Sequence, residues 1–402
     1  MSKRIWLVER RRNILAPAIA WLSLMAVGSA ASAAELSPDM PYRAEKRNPV
    51  AYEVDFTAVV TPPYKTKKLS VWMPMPQSDS AQEVVEGQIY SFPMNVKPQV
   101  GVEPVFGNRF AYFEFDAPQG AQMIRHTFKV TTHELRWNID PKKIERVEKW
   151  PEAFAPYLRG EDQAVVVNDK VKRLLSEIVP EMHDPLSNVS QYIAWVNANI
   201  EYDHDNASLA ASSQHPIDER RGHCSDYHGL CAAFGRALGY PTRVTYGINP
   251  FPKASPSHCK LEVFLPPYGW VSFDVSETQK LVEQINKDSK LSDEEKLQLV
   301  AAANNRMMSG YRDNTWYLQT RGTDYDLAPP AAKRAPVVRT IYAEADGVAL
   351  RDPDPSNSKK REYSWMTMHH YKPSNEVKYP FKDTKSLDAW KTAPAKTAGG
   401  AK

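Results

Sequence analysis

Only three cysteines, Cys224, Cys231 and Cys259, occur in the 402 residues. So few exclude a disulfide-stapled scaffold, although a single Cys231–Cys259 bridge would still leave Cys224 free. Metal-binding spacings are missing too. There is no Cys-x-x-Cys or His-x-x-x-His pair, so His223, Cys224, His228, Cys231, His258 and Cys259 do not read as a zinc site, and no cofactor signature appears. No apolar run beyond the N-terminal segment is long enough to span a membrane, and no internal repeat is visible.

Excess charge of one sign is lacking as well, once the N-terminus is set aside. Residues 1–34 carry Lys3, Arg4 and Arg10-Arg11-Arg12, a largely apolar stretch from Ile14 to Val27, and Ala31-Ser32-Ala33 before Ala34-Glu35. This is the layout of a secretory signal peptide cleaved near Ala33/Ala34, with an uncleaved anchor as the alternative. Arg11-Arg12-Asn13-Ile14-Leu15 also resembles a twin-arginine export signature, which would carry the chain across already folded with its thiols reduced. The segment holds five basic residues and one acidic. Removing it takes four positive charges from the chain's +3 and leaves about −1. A nucleic-acid partner is excluded on that balance, and the expected location is periplasmic or secreted.

Chemistry concentrates in residues 221–274. Arg221-Gly222-His223-Cys224-Ser225-Asp226-Tyr227-His228 opens a helix that runs to Leu238 and is stopped by Gly239-Tyr240-Pro241. His258 begins a later strand and Asp274 lies on the next one. A cysteine at a helix N-terminus, a histidine and a carboxylate are the parts of an activated thiol. The helix end lowers the thiol pKa, the imidazole takes the proton, and the carboxylate orients the imidazole.

The wider order resembles the transglutaminase-like superfamily, a papain-like thiol fold. The match is carried by Gly222-His223-Cys224-Ser225-Asp226 at the helix start and Leu238-Gly239-Tyr240-Pro241-Thr242-Arg243 at its end. It continues through His258-Cys259-Lys260-Leu261-Glu262 and Gly269-Trp270-Val271-Ser272-Phe273-Asp274. The resemblance implies Cys224 as nucleophile, His258 as base and later acid, and Asp274 as the orienting carboxylate. It also implies an α+β fold in which the cysteine helix packs on an antiparallel sheet. Where family members often carry an aromatic two residues after the histidine, this chain has Lys260, which either snorkels to solvent or pairs with an acid such as Glu262 or Asp274.

Strand alternation gives an independent geometric expectation. His258, Lys260 and Glu262 share one face, Cys259, Leu261, Val263 and Leu265 the other. On the second strand Val271, Phe273 and Val275 face inward, while Ser272, Asp274 and Ser276 lie on the polar side. His258 and Asp274 meet on one face only if the connecting loop has an odd number of residues or the pair contains a bulge. Blander roles fit the remaining candidates: Cys231 is core packing two turns beyond Cys224, Asp226 stabilises the first helical turn with a catalytic role as its alternative, Arg221 is solvated with binding of an acidic substrate group as its alternative, and His369-His370 is surface.

Residues 45–145 read as an antiparallel β-sandwich, with strand-like runs such as 51–60, 69–74, 109–115 and 126–132. A catalytic domain over 150–345 follows, with helices around 165–178 and 189–200 and a capping box, Ser292-Asp293-Glu294-Glu295, opening another through Met308. Residues 346–402, with Lys359-Lys360-Arg361, form a basic, partly disordered tail that could touch an anionic surface. Three functions are consistent with this reading. One is an exported thiol hydrolase acting on peptide or amide bonds through a thioester. Another is a glutamine γ-glutamyltransferase passing the same acyl group to an amine. The third is a non-catalytic binding module that retains the fold. The expected partner is a protein or peptide in the cell envelope.

Overall fold

The computed structural model describes residues 36–251, 256–351 and 364–391. The signal peptide expected over 1–34, the run Lys359-Lys360-Arg361 and the last eleven residues lie outside them. The described residues form one compact unit.

The first half is built on period-two alternation. In β1 (Glu45–Val60), Val50, Tyr52, Val54, Phe56, Ala58 and Val60 are all buried, so one face of the strand is apolar and must be covered. Along one side β1 pairs with β6 (Gln122–Arg136), which also carries β3 (Gln82–Phe92). The facing sheet contains β2 (Lys68–Met75), β4 (Gln99–Val102) and β5 (Arg109–Asp116). Val71, Met73, Phe113 and Phe115 from it close the core against Phe56, Ile124 and Val130. All pairings are antiparallel.

Next come a short helix α1 (Ala155–Leu158), then α2 (Asp169–Ile178), α3 (Pro185–Asn199), β7 (Glu201–Tyr202), α4 (His215–Glu219) and β8 (Arg221–Gly222). Asn168 and Asp184 cap α2 and α3 by accepting from the Val171 and Ser187 N–H groups. Helix α5 (Cys224–Ala237) carries the cysteine and packs on β9 (Thr242–Ile248) and β10 (Ser257–Phe264). Tyr227, Leu230, Cys231 and Phe234 are fully buried. Gly239, at φ +79°, ends the helix in the left-handed conformation, with Tyr240 N–H returning to Gly235 O at 2.9 Å. Inside α5, Gly229 has no alternative: a Cβ there would lie 2.2 Å from Ala211 O.

β11 (Trp270–Phe273) pairs with β10, and α6 (Val275–Lys287) and α7 (Asp293–Met308) follow. The Ser292–Glu295 capping box forms as expected. The last strands are distributed among the sheets: β13 (Tyr317–Arg321) extends β9, β12 (Tyr311–Arg312) joins β6, β14 (Tyr342–Ala345) joins β2, and β15 (Val348–Ala349) joins β14.

Two expectations change here. The sandwich expected over 45–145 is completed by strands from the far end of the chain. Within the segment expected as a basic, partly disordered tail, β16 (Trp365–Pro373) pairs with β1 from Tyr52 to Val60. The reason is its own alternation, which turns Trp365, Thr367, His369 and Tyr371 toward the sheet's partners and Met366, Met368, His370 and Lys372 outward. His369, expected at the surface, is half-buried with its ring 4.6 Å from Phe56.

Candidate active site

The register of β10 and β11 decides the hairpin question. Leu261 lies opposite Phe273 and Phe264 opposite Trp270, leaving the five residues 265–269 as the loop. That odd number puts His258 and Asp274 on one face, as the parity argument requires. Continuing the register by one pair sets Asp274 against Lys260.

Asp274 itself is not a strand residue. The strand ends at Phe273, and Asp274 caps α6, its Oδ1 accepting from Glu277 N–H at 3.2 Å while Thr278 Oγ1 donates to its carbonyl at 2.7 Å. An Asp three residues before a Glu competes for the role of N-cap, and it wins over the alternation that would have carried the strand to Val275. The capping leaves Oδ2 free to face the histidine. His258 Nε2 donates to it at 2.8 Å. Because an ionised carboxylate only accepts, this bond fixes the proton on Nε2 and leaves Nδ1 for the thiol.

Cys224 is the first residue of α5, and its thiol and the His258 imidazole perturb one another's ionisation. Its pKa is held well below the ordinary thiol value: the neighbouring Cys259 thiol lowers it most, and the His258 imidazole and the charges of His223 and His258 add to this, all against the opposing effect of burial. His258 is raised. Burial disfavours its charge, but the Asp274 carboxylate and the Cys224 sulfur outweigh that. Asp274 is held well below the usual carboxylate range, burial being overcome by His258 and Lys260. These directions favour a thiolate–imidazolium pair oriented by a carboxylate. All three side chains are nearly inaccessible, with Cys224 the most exposed at 8%.

Cys259 departs from expectation. It lies on the opposite strand face from His258, yet its thiol still meets Cys224 and sits 3.3 Å from His228 Nδ1. Cys224 and His228 are four residues apart on α5 and so share one helix face, the face turned to β10. His228 Nε2 in turn accepts the Val275 N–H at 3.2 Å, and burial pushes its pKa down to about 4. All three cysteines are free thiols, so the Cys231–Cys259 bridge is not formed. Cys231 is buried in the core and pushed far up by burial alone.

Lys260 takes the second of its two expected courses. It is 1% exposed, with Nζ 2.5 Å from Asp274 Oδ2 and 3.3 Å from Asp313 Oδ1. Trp316 packs 5.3 Å from that ammonium and donates its indole N–H to His258 O at 3.1 Å. The aromatic surface absent at position 260 is thus supplied from the segment just before β13. Asp226 accepts from His223 N–H and from Ser208 N–H, each at 3.2 Å, holding the loop before α5 against its first turn. Arg221 remains half-exposed beside Asp203.

Four neighbours were not legible in the sequence. Asp313 and Trp316 come from the segment before β13. Glu277 Oε1 lies 3.8 Å from His258 Nδ1. Tyr202, placed by the parallel pairing of β7 with β8, lies near Cys224, whose charge helps push the buried phenol's pKa up. No spacing connects these residues to Cys224; the packing of distant segments does. Among the described residues, no group of three or more His, Cys, Asp or Glu side chains is arranged to hold a metal ion, and no helix is long and apolar enough to cross a membrane.

Residues 172–275 match the family model of the transglutaminase-like superfamily. An uncharacterized protein of Haemophilus influenzae is 23% identical over 352 residues, covering 78% of this chain and 91% of the relative. Among solved structures, a candidate cysteine protease from Cytophaga hutchinsonii superposes with a TM-score of 0.57 at 15% identity, over 85% of this chain and 97% of that one. The fold is therefore shared along nearly the whole of that protein. The periplasmic domain of TgpA from Pseudomonas aeruginosa aligns at 17% identity over 57% of this chain and 90% of its own, with a TM-score of 0.31.

Proposed function

Because residues 172–275 form a domain of the transglutaminase-like superfamily, we propose that this protein is an exported thiol hydrolase cleaving peptide or amide bonds in the cell envelope, with Cys224 as nucleophile. The observation that carries the reading is the relay Cys224–His258–Asp274, with His258 Nε2 on Asp274 at 2.8 Å and its other nitrogen left for the thiol. In this mechanism the Cys224 sulfur attacks the substrate carbonyl, forming a C–S bond. Negative charge moves to the carbonyl oxygen, which the Cys224 backbone N–H at the start of α5 is placed to receive. His258 then gives its proton to the leaving nitrogen and the C–N bond breaks, leaving a thioester. Water enters, His258 takes its proton, and the carboxylic acid leaves with the sulfur restored as thiolate.

The test is turnover of a peptide-amide library by the wild type and Cys224→Ala, with a labelled primary amine present. Release of free acid that depends on Cys224 supports hydrolysis. Amine incorporation in place of free acid would show transamidation, and no turnover of either kind with an unreactive thiol would show a binding module.

A further inference from the structure

Lys260 is a buried cation that the relay does not account for. A lysine this deep is retained only with close partners, and it has two, Asp274 at 2.5 Å and Asp313 at 3.3 Å. It shares Oδ2 of Asp274 with His258 Nε2, so the same oxygen lies between an ammonium and an imidazole. The ring faces of Trp316 and Phe381, 5.3 and 5.4 Å from Nζ, cover the cation. Trp316 also holds the His258 carbonyl. One connected unit therefore fixes the backbone of the histidine and the oxygen that orients its ring.

We infer that Lys260 is a positioning residue of the site, which with Asp313 clamps Asp274 Oδ2 toward His258 and sets the pH window in which the thiolate–imidazolium pair exists. The inference rests on the function proposed above. Its electrostatics have a definite sign. A cation beside Asp274 weakens the carboxylate's hold on the imidazolium and favours the thiolate, so it moves both ends of the window toward lower pH. Asp313 works in the opposite sense. Other charged and titratable groups also face His258: Cys224 and His228 from α5, Cys259 beside it, and Glu277 from α6. One contact further out are Lys280 on Glu277, Tyr202 on Cys224, and Tyr379, whose hydroxyl bonds Glu277. None of these separates Asp274 from Asp313, so substitutions at 260 and 313 change the balance while leaving them in place.

The experiment measures the rate of iodoacetamide alkylation at Cys224 from pH 4 to 10, with the labelled peptide identified by mass spectrometry. The full chain is used, in wild type, Lys260→Met, Asp313→Asn, the double variant and Lys260→Arg. Lys260→Met shifts the window upward and Asp313→Asn shifts it downward, each by about 1 pH unit. The double variant returns it toward wild type while labelling more slowly, because Asp274 has lost its clamp, and Lys260→Arg keeps the wild-type window. A purely structural lysine would lower the unfolding temperature without displacements of opposite sign. If Lys260→Met fails to fold, Asp313→Asn, which keeps the lysine, still has to move the window downward. Windows that coincide with wild type in every folded variant overturn the inference. A wild-type Cys224 that labels like an ordinary thiol overturns the proposed function instead, so the two failures are distinguishable.

Discussion

Replacing Asp274 by Asn probes the relay with the least change in shape. The aspartate makes three separable contacts: Oδ2 to His258 at 2.8 Å, Oδ2 to Lys260 at 2.5 Å, and Oδ1 to Glu277 N–H at 3.2 Å. An asparagine can keep the last as an N-cap. It cannot keep both of the others, since its single carbonyl oxygen replaces two carboxylate oxygens and its NH2 would face another donor. A hydrogen bond to a charged group is worth about 1.5–3 kcal/mol net. At about 1.4 kcal/mol per decade, alkylation of Cys224 near neutral pH should therefore slow by roughly 10- to 100-fold. Lys260 would keep only Asp313, and removing one partner of a buried pair costs about 3–5 kcal/mol, so the unfolding temperature should fall as well. The assay pairs alkylation kinetics with a thermal melt and a circular dichroism spectrum. A folded Asp274→Asn protein whose Cys224 labels within twofold of wild type would refute the reasoning.

The remaining predictions concern pH and packing. Cys224 is depressed and His258 raised. Labelling should therefore rise through a value well below that of a free thiol, while turnover should fall as pH climbs through the His258 value and the general acid is lost. A pH–rate profile checks both limbs. Gly229→Ala forces a methyl against Ala211 O, 2.2 Å from the ideal Cβ position. It should cost at least about 1–3 kcal/mol in denaturant unfolding and disturb Cys224 one turn away. Glu262→Gln breaks a buried pair with Arg243, whose Nε donates at 2.7 Å. It should cost about 3–5 kcal/mol and yet leave the pH dependence of Cys224 labelling in place, which separates stability from reactivity.

How much was readable in advance follows the range of each interaction. The helix carrying Cys224 and its end at Gly239 are local signals, and they appear where the residues put them. The shared face of His258 and Asp274 follows from counting alone, because register in a hairpin is set by loop length. Asp274 as a helix cap was missed because strand alternation through Val275 hid the Asp–Glu pattern. Lys260 could be named as out of place, and Asp274 named among its partners, but Asp313 arrives from the segment between β12 and β13, 53 residues later. Tyr202 and Trp316 are of the same kind. The strand Trp365–Pro373 was obscured by its charged flank and by histidines and methionines, which carry weak strand signals. It became a strand because β1 offered an unpaired edge.

The central claim is that Cys224 becomes acylated, and trapping that species tests it most directly. Wild type and Cys224→Ala would be mixed with a peptide-amide library found to turn over, quenched in acid within milliseconds, digested and examined by mass spectrometry. An acyl group should appear on the peptide containing Cys224, labile to hydroxylamine as a thioester is, and absent from Cys224→Ala. Turnover with no adduct at Cys224, or an adduct confined to Cys231 or Cys259, would contradict the claim.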